Sequence, residues 1–185
     1  MSGSARGRLL VAAPALLDPN FVRTVVLGVE HNDEGALGVV LNRPSGTPVG
    51  EILPDWAPVA VAPGRVHLGG PVQPDGMIGL ALLESVDPVD RPGITGLWPG
   101  VGAVDLDHPP PDGAGLLGVR CFAGYSGWGP GQLDGEVATG SWFVLDRAPD
   151  DLWTPDPGDL WVRVLRRQPG RIAQFAHAPL DPSAN

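Results

Sequence analysis

The sequence predicts a single α+β domain spanning residues 1–185, in which a largely antiparallel or mixed sheet carries a few short helices and one C-terminal helix. Two observations support this class. Short apolar, β-branched runs recur along the chain, each bounded by turn residues, as expected of many short strands. Helical spacing of apolar residues is clear in only one place, at Leu160, Trp161, Val164 and Leu165. The 27 glycines and 22 prolines are spread among the apolar runs, which fits tight turns between short elements and argues against disorder. A chain of 185 residues that is 43% hydrophobic is long enough to bury one proper core.

The elements follow in order. Residues 8–13 are continuously apolar and suit a strand covered on both faces. Leu17-Asp18-Pro19-Asn20 is a turn. Residues 22–30 and 36–41 read as a hairpin joined through the five residues His31-Asn32-Asp33-Glu34-Gly35. Thr47-Pro48 resembles an N-cap followed by proline at the first helical position, opening a short helix through Leu53. Residues 65–68 and 77–83 are strands, with Gly69-Gly70-Pro71-Val72 and the turn Pro74-Asp75-Gly76 between them. Residues 84–114, rich in Pro, Gly and Asp, hold edge strands at 94–98 and 101–106. A core strand at 119–127 runs into a glycine-rich turn, a short helix at 132–139 and a strand at 141–145. Pro157-Gly158-Asp159 starts the last helix and Pro169-Gly170 stops it.

Charge and composition exclude several functions. The formal net charge is −9, and all 12 basic residues are arginine. With no lysine, Schiff-base chemistry and a phosphate-loop lysine are ruled out. The acidic balance opposes nucleic-acid binding, which depends on basic surface. Arg163, Arg166, Arg167 and Arg171 form one local exception, read as a solvated helix face. Cys121 is the only cysteine and lies in an apolar run; it is read as a buried, inert thiol in a chain that cannot form an internal disulfide. Residues 9–17 are apolar but short and broken by Pro14, below what a membrane span needs. The expectation is a cytoplasmic protein without membrane attachment.

No catalytic or metal constellation stands out. Ser126 lies in Gly124-Tyr125-Ser126-Gly127-Trp128, where the indole occupies the place a nucleophile elbow reserves for glycine. His31, His67, His108 and His177 are scattered, and the Asp105, Asp107, His108 cluster sits in a proline-rich loop. Catalytic residues, metal ligands and cofactors are therefore expected to be none. The glycines at 127–131 lack a full dinucleotide fingerprint, and Asp134 and Glu136 behind them would repel a phosphate. They are read as a sharp turn, with Trp128 and Trp142 as core anchors.

The stronger candidate is Asn42-Arg43-Pro44, at the end of an apolar strand. A guanidinium there can grip a carboxylate or phosphate through two parallel hydrogen bonds. Pro44 keeps Arg43 extended, and Arg23 on the preceding strand is placed to approach it. The competing reading is an internal ion pair with Glu136 or Asp18. The candidate ligand-binding set is Arg23, Asn42, Arg43, Tyr125 and Gln132.

Taken together, Gly7-Arg8-Leu9-Leu10-Val11-Ala12-Ala13-Pro14, Leu17 to Phe21, His31 to Pro44, Gly69-Gly70-Pro71-Val72, Gly124 to Leu133, Gly140-Ser141-Trp142 and the closing Asp181 to Asn185 resemble the YqgE/AlgH family. The resemblance covers nearly the whole chain and is poorest at 84–114. It implies a compact α+β fold without a known cofactor, and a bacterial protein of unsettled biochemical role. Alanine is the family's usual residue at the Ser126 position, which further disfavours a nucleophile. Members are often labelled transcriptional regulators, although no helix-turn-helix signal is present here. The leading reading is a non-catalytic binding or regulatory domain acting through a small ligand or a protein partner, without direct nucleic-acid contact. An enzyme of unknown reaction using Arg43 and the Gly124–Gln132 region, and a transcriptional regulator, are the alternatives.

Overall fold

The computed structural model describes residues 3–87 and 90–180; the Asp181–Asn185 motif of the family resemblance lies outside them. The strands are β1 (Leu9–Ala12), β2 (Val25–Asn32), β3 (Gly35–Val40), β4 (Pro44–Pro48), β5 (Arg65–Leu68), β6 (Val72–Leu83), β7 (Ile94–Trp98), β8 (Val101–Val104), β9 (Leu116–Trp128) and β10 (Trp142–Leu145). Helices are short: α1 (Val49–Ile52), α2 (Gln132–Ala138), α3 (Leu160–Arg166) and α4 (Arg171–Gln174), with short 3₁₀ segments at Pro54–Val59, Pro149–Asp151, Pro157–Asp159 and Phe175–His177. This is the expected α+β class, and no helix is long and apolar enough to cross a membrane.

β9 organises the sheet. Along one edge it pairs antiparallel with β6, from Val72↔Tyr125 to Leu83↔Leu116. Its other edge is shared by β3, at residues 126–128, and by β5, which runs parallel at His67↔Phe122 and Leu68↔Ala123. The full order is β10-β1-β2-β3-β9-β6-β8-β7, with β4 joined through β5.

The strand alternation sorts residues into separate cores. Leu9 and Val11 of β1 face a core with Leu27, Leu41, Leu80 and Phe122, capped by Leu160, Trp161, Val164 and Leu165 of α3. Leu10 and Ala12 face the other way, with Val26, Val40, Trp128, Trp142 and Leu133 of α2. β1 is thus buried on both faces, as its continuous apolar run predicts. A third cluster packs Val119, Cys121, Ala81 and Ile94 against Val49 and Trp56.

The sheet curls until its two ends meet. Trp98, closing β7 at one edge, lies between the guanidinium groups of Arg147 and Arg6, 5.3 and 5.9 Å from its ring centre. Arg147 follows β10 at the opposite edge and donates to the Gly7 carbonyl at 3.0 Å. Gly7 has φ +75°, and a Cβ there would come within 2.9 Å of the indole nitrogen; only glycine lets the chain pass.

Some elements differ from the sequence expectation. The β2–β3 connection is two residues, Asp33 and Glu34, because His31 and Asn32 continue the ladder opposite Ala36 and Gly35. Asn32 Oδ1 accepts the Glu34 N–H at 2.8 Å and stabilises the turn. Residues 44–48 form a strand that the two prolines hide; it pairs only at Pro44↔His67 and Pro48↔Arg65, the irregular pairing proline allows. Pro48 is therefore the residue before α1 rather than its first, and it supplies no side-chain cap. The Pro74-Asp75-Gly76 turn falls inside β6 as an irregularity between Val72 and Met77, and α4 follows the Pro169-Gly170 stop.

Candidate functional site

The glycine-rich turn after β9 is held by one carboxylate. Glu136 Oε2 accepts the indole N–H of Trp128 at 3.0 Å and of Trp142 at 2.9 Å. Its Oε1 accepts from Gln132 Nε2 at 2.9 Å, while Gln132 Oε1 accepts the Gly129 N–H at 3.0 Å. Trp128 and Trp142 are buried and meet edge to face at 5.8 Å, with Phe21 against both. They are core anchors, as the sequence predicts. Glu136, a candidate counterion for Arg43, is engaged here instead.

Asn42 bridges backbone: its Oδ1 accepts the Val25 N–H at 2.8 Å and its Nδ2 donates to the Arg23 carbonyl at 2.9 Å. It thereby braces Arg23, whose φ of +53° is rare for a residue with a side chain. The Arg23 guanidinium turns to the C-terminal region, lying 4.6 Å from the Trp161 ring centre and donating to the Ala178 carbonyl.

Arg43 is half-buried. Its Nη1 donates to the Asn20 carbonyl at 2.7 Å and its Nη2 to the Val22 carbonyl at 3.1 Å. Burial lowers its pKa, partly offset by the field of Asp18. No carboxylate among the described residues lies within ion-pair distance of it. The side chain lines a cleft of about 240 Å³ with Asn20, Val40, Leu68, Pro71 and Ala123. Leu68 is 51% exposed there, more than a strand leucine needs to be.

Tyr125 lines a second, more polar concavity of about 380 Å³, with Glu30, Asn32, Glu34 and Trp128. The two hollows share one wall: Gly70, Pro71 and Pro74 border the Arg43 cleft, and Val72 borders the Tyr125 hollow. Gly70 makes that wall possible, since a Cβ there would lie 2.3 Å from the Tyr125 carbonyl oxygen. Of the five candidate residues, Arg43 and Tyr125 line these neighbouring hollows. Arg23, Asn42 and Gln132 have their polar atoms engaged in holding the fold.

The other reactive groups are inert by position. Ser126 is fully buried and donates to the Gly69 carbonyl at 3.1 Å. Cys121 is buried, which pushes its thiol up to about 12. No group of three His, Cys, Asp or Glu among the described residues is arranged to hold a metal. Asp105 accepts from His108 at 2.9 Å on an exposed loop, and the Asp107 N–H and that histidine lower its pKa. Arg167 is tied to Asp151 and Arg163 to Asp159, so half of the C-terminal arginine group is internally paired. The sequence reading missed one polar pair, His67 and Arg120, both buried. The signal was a basic residue flanked on both sides by the apolar positions of a core strand.

Comparison with known proteins agrees with this architecture. The AlgH-like family model, a domain of unknown function designated DUF179, matches residues 9–173. A UPF0301 protein of Streptomyces coelicolor is 50% identical, the match covering 98% of this chain and 96% of that protein. A UPF0301 protein of Mycolicibacterium gilvum is 47% identical over 97% and 89%. The crystal structure of DIP2367 from Corynebacterium diphtheriae superposes with a TM-score of 0.87 at 32% identity, covering 95% of this chain and 93% of that one. The solution structure of AlgH from Pseudomonas aeruginosa gives 0.65 at 28%, covering 98% of each. The chain belongs to the AlgH-like, UPF0301 family.

Proposed function

We propose that this protein is a non-catalytic binding domain whose Arg43 cleft receives an acidic group on an apolar body, carried by a small ligand or a protein partner. One observation carries the reading: a guanidinium oriented by two carbonyls, without an ion-paired carboxylate among the described residues, at the mouth of an apolar-walled cleft. The carbonyls fix the plane of the group without neutralising it, leaving its charge for an incoming carboxylate or phosphate. Leu68, Pro71 and Ala123 supply the apolar wall. Duplex DNA is not the partner in this reading, since a chain of net charge −9 lacks the basic face that counterion release requires. The reading places the protein in the cytoplasm, where its single buried cysteine stays a thiol.

The test is an amide NMR titration with 4-methylpentanoate and with phenyl phosphate. The expected result is saturable shifts at residues 40, 43, 68–71 and 123, with affinity reduced about tenfold or more in Arg43→Gln, the loss of one charge-assisted contact. Shifts elsewhere only, or an affinity unchanged in Arg43→Gln, would overturn the reading.

A further inference from the structure

We propose that Arg120 and His67 form an interior site for a small monovalent anion of halide size, taken up together with a proton. The site lies in the core and is independent of the Arg43 cleft. Arg120 is 2% exposed and His67 is fully buried. Arg120 Nη2 donates to the carbonyls of Ala62 and Thr154. Its Nε and Nη1 have no hydrogen-bond partner among the described residues, and neither has His67 Nε2. Sheet register brings these groups together. His67 stands opposite Phe122, and Arg120 is two residues before Phe122, so the three side chains share one face.

A guanidinium keeps its charge under burial, and burial lowers the Arg120 pKa only to about 10. Removing such a charge from water without a counterion is strongly unfavourable. The buried carboxylate in this quarter is already engaged, because Asp151 accepts from Arg167 through both oxygens. An anion accepting from one of these unpartnered Arg120 N–H groups supplies the missing counter-charge. It cannot face a neutral His67, however. Nδ1 lies 3.1 Å from the Arg65 carbonyl and so carries the ring proton, leaving a lone pair on Nε2. Protonating Nε2 turns that lone pair into a second donor, so anion and proton bind cooperatively.

The groups facing His67 permit this linkage. β4 brings Pro44, Ser45, Gly46, Thr47 and Pro48, none of them charged, and β3 brings no charge. Arg120 is the only charged residue of β9. Within β5 itself, Arg65 turns away to donate to the Gly46 carbonyl. No carboxylate among the described residues shifts His67, whose pKa burial and then Arg120 lower to about 4. An anion between the two cations would reverse the Arg120 effect. Because Arg120 also holds Thr154, in the segment leading to α3, the occupant and the C-terminal helices share one anchor.

The experiment follows the His67 ring by NMR through a pH titration of the full chain at increasing bromide, with ionic strength held constant by benzenesulfonate, too large to enter. The His67 midpoint should rise by about one pH unit per tenfold increase in bromide once the protonated form is saturated, and Arg120→Gln should abolish that dependence. Crystals of the unaltered protein soaked in bromide at about pH 5, where a histidine gains protons, should show an anomalous peak between the two side chains. A midpoint indifferent to bromide, a bromide response retained in Arg120→Gln, or only a water between the side chains would overturn the proposal.

Discussion

Glu136 gathers three side-chain donors, two of them tryptophan indoles that would otherwise be buried without a partner. Its replacement by Gln leaves an amide N–H₂ facing either the two indoles or Gln132, so at least one donor loses its acceptor. Glu136→Gln should therefore cost about 1–3 kcal/mol. Trp128→Ala, which also empties the aromatic cluster with Phe21 and Trp142, should cost about 3–5 kcal/mol. Chemical denaturation separates the two, and a Trp128→Ala midpoint equal to that of the parent would refute the anchor role. His67 gives a pH signature. Its folded pKa of about 4 lies below the ordinary 6.5, so the unfolded chain binds the proton more readily. The stability this provides is complete above pH 6.5 and shrinks as pH falls towards 4, by on the order of 3 kcal/mol. In halide-free buffer, the pH 7 to pH 4 loss should be smaller in His67→Gln by about that amount. Equal losses in the two proteins would show that His67 is not held neutral.

At the level of elements, glycine separates packing from conformation. Gly70 has φ +153°, and a Cβ there meets the Tyr125 backbone at 2.3 Å. Gly70→Ala must therefore move β9 or the 70–74 wall, and its thermal midpoint should fall by about 10 °C or more. Gly135 lies within α2 with open space around it, so Gly135→Ala should stabilise by about 0.5–1 kcal/mol. A Gly70→Ala midpoint equal to the parent's would overturn the steric account of the wall. The elements also show what a sequence can reveal. Arg65–Leu68 and Ile94–Trp98 were legible to the residue because β-branched and apolar runs end there at turn formers. β4 was hidden because its two prolines cannot give an ordinary ladder, and its pairing depends on β5, distant in sequence. Arg43 was legible as a candidate from its place at a strand end. Its cleft was not, since Leu68 reaches Arg43 through its own N–H on the Arg43 carbonyl and brings Ala123 with it by the parallel β5–β9 pairing, contacts between segments distant in sequence. Arg120 looked like an ordinary strand residue because the carbonyls that hold it, Ala62 and Thr154, come from segments distant in sequence.

Across the whole molecule, the curl of the sheet depends on how its two ends are joined. The strand order begins at β10 and ends at β7, and Trp98 reaches from the second to the surroundings of the first. There it meets Arg6, Arg147 and the Gly7 backbone, and packs on the core shared with α3. Dispersion with Gly7 and the attraction of two guanidinium groups to the ring act together, each cation contributing about 0.5–1 kcal/mol at partly exposed sites. Without the ring, Arg147 keeps its bond to Gly7 but loses its contact with β7. Trp98→Ala should therefore act mainly on the closure: amides of β7 and β8 at one end, and of β10 at the other, should exchange faster, while the centre of β9 keeps its protection. Trp98→Phe retains a smaller ring for both cations and should restore most of the protection. If instead exchange accelerates uniformly through β9 and β3, the ring is one more core side chain, and the curl is fixed by the strands themselves.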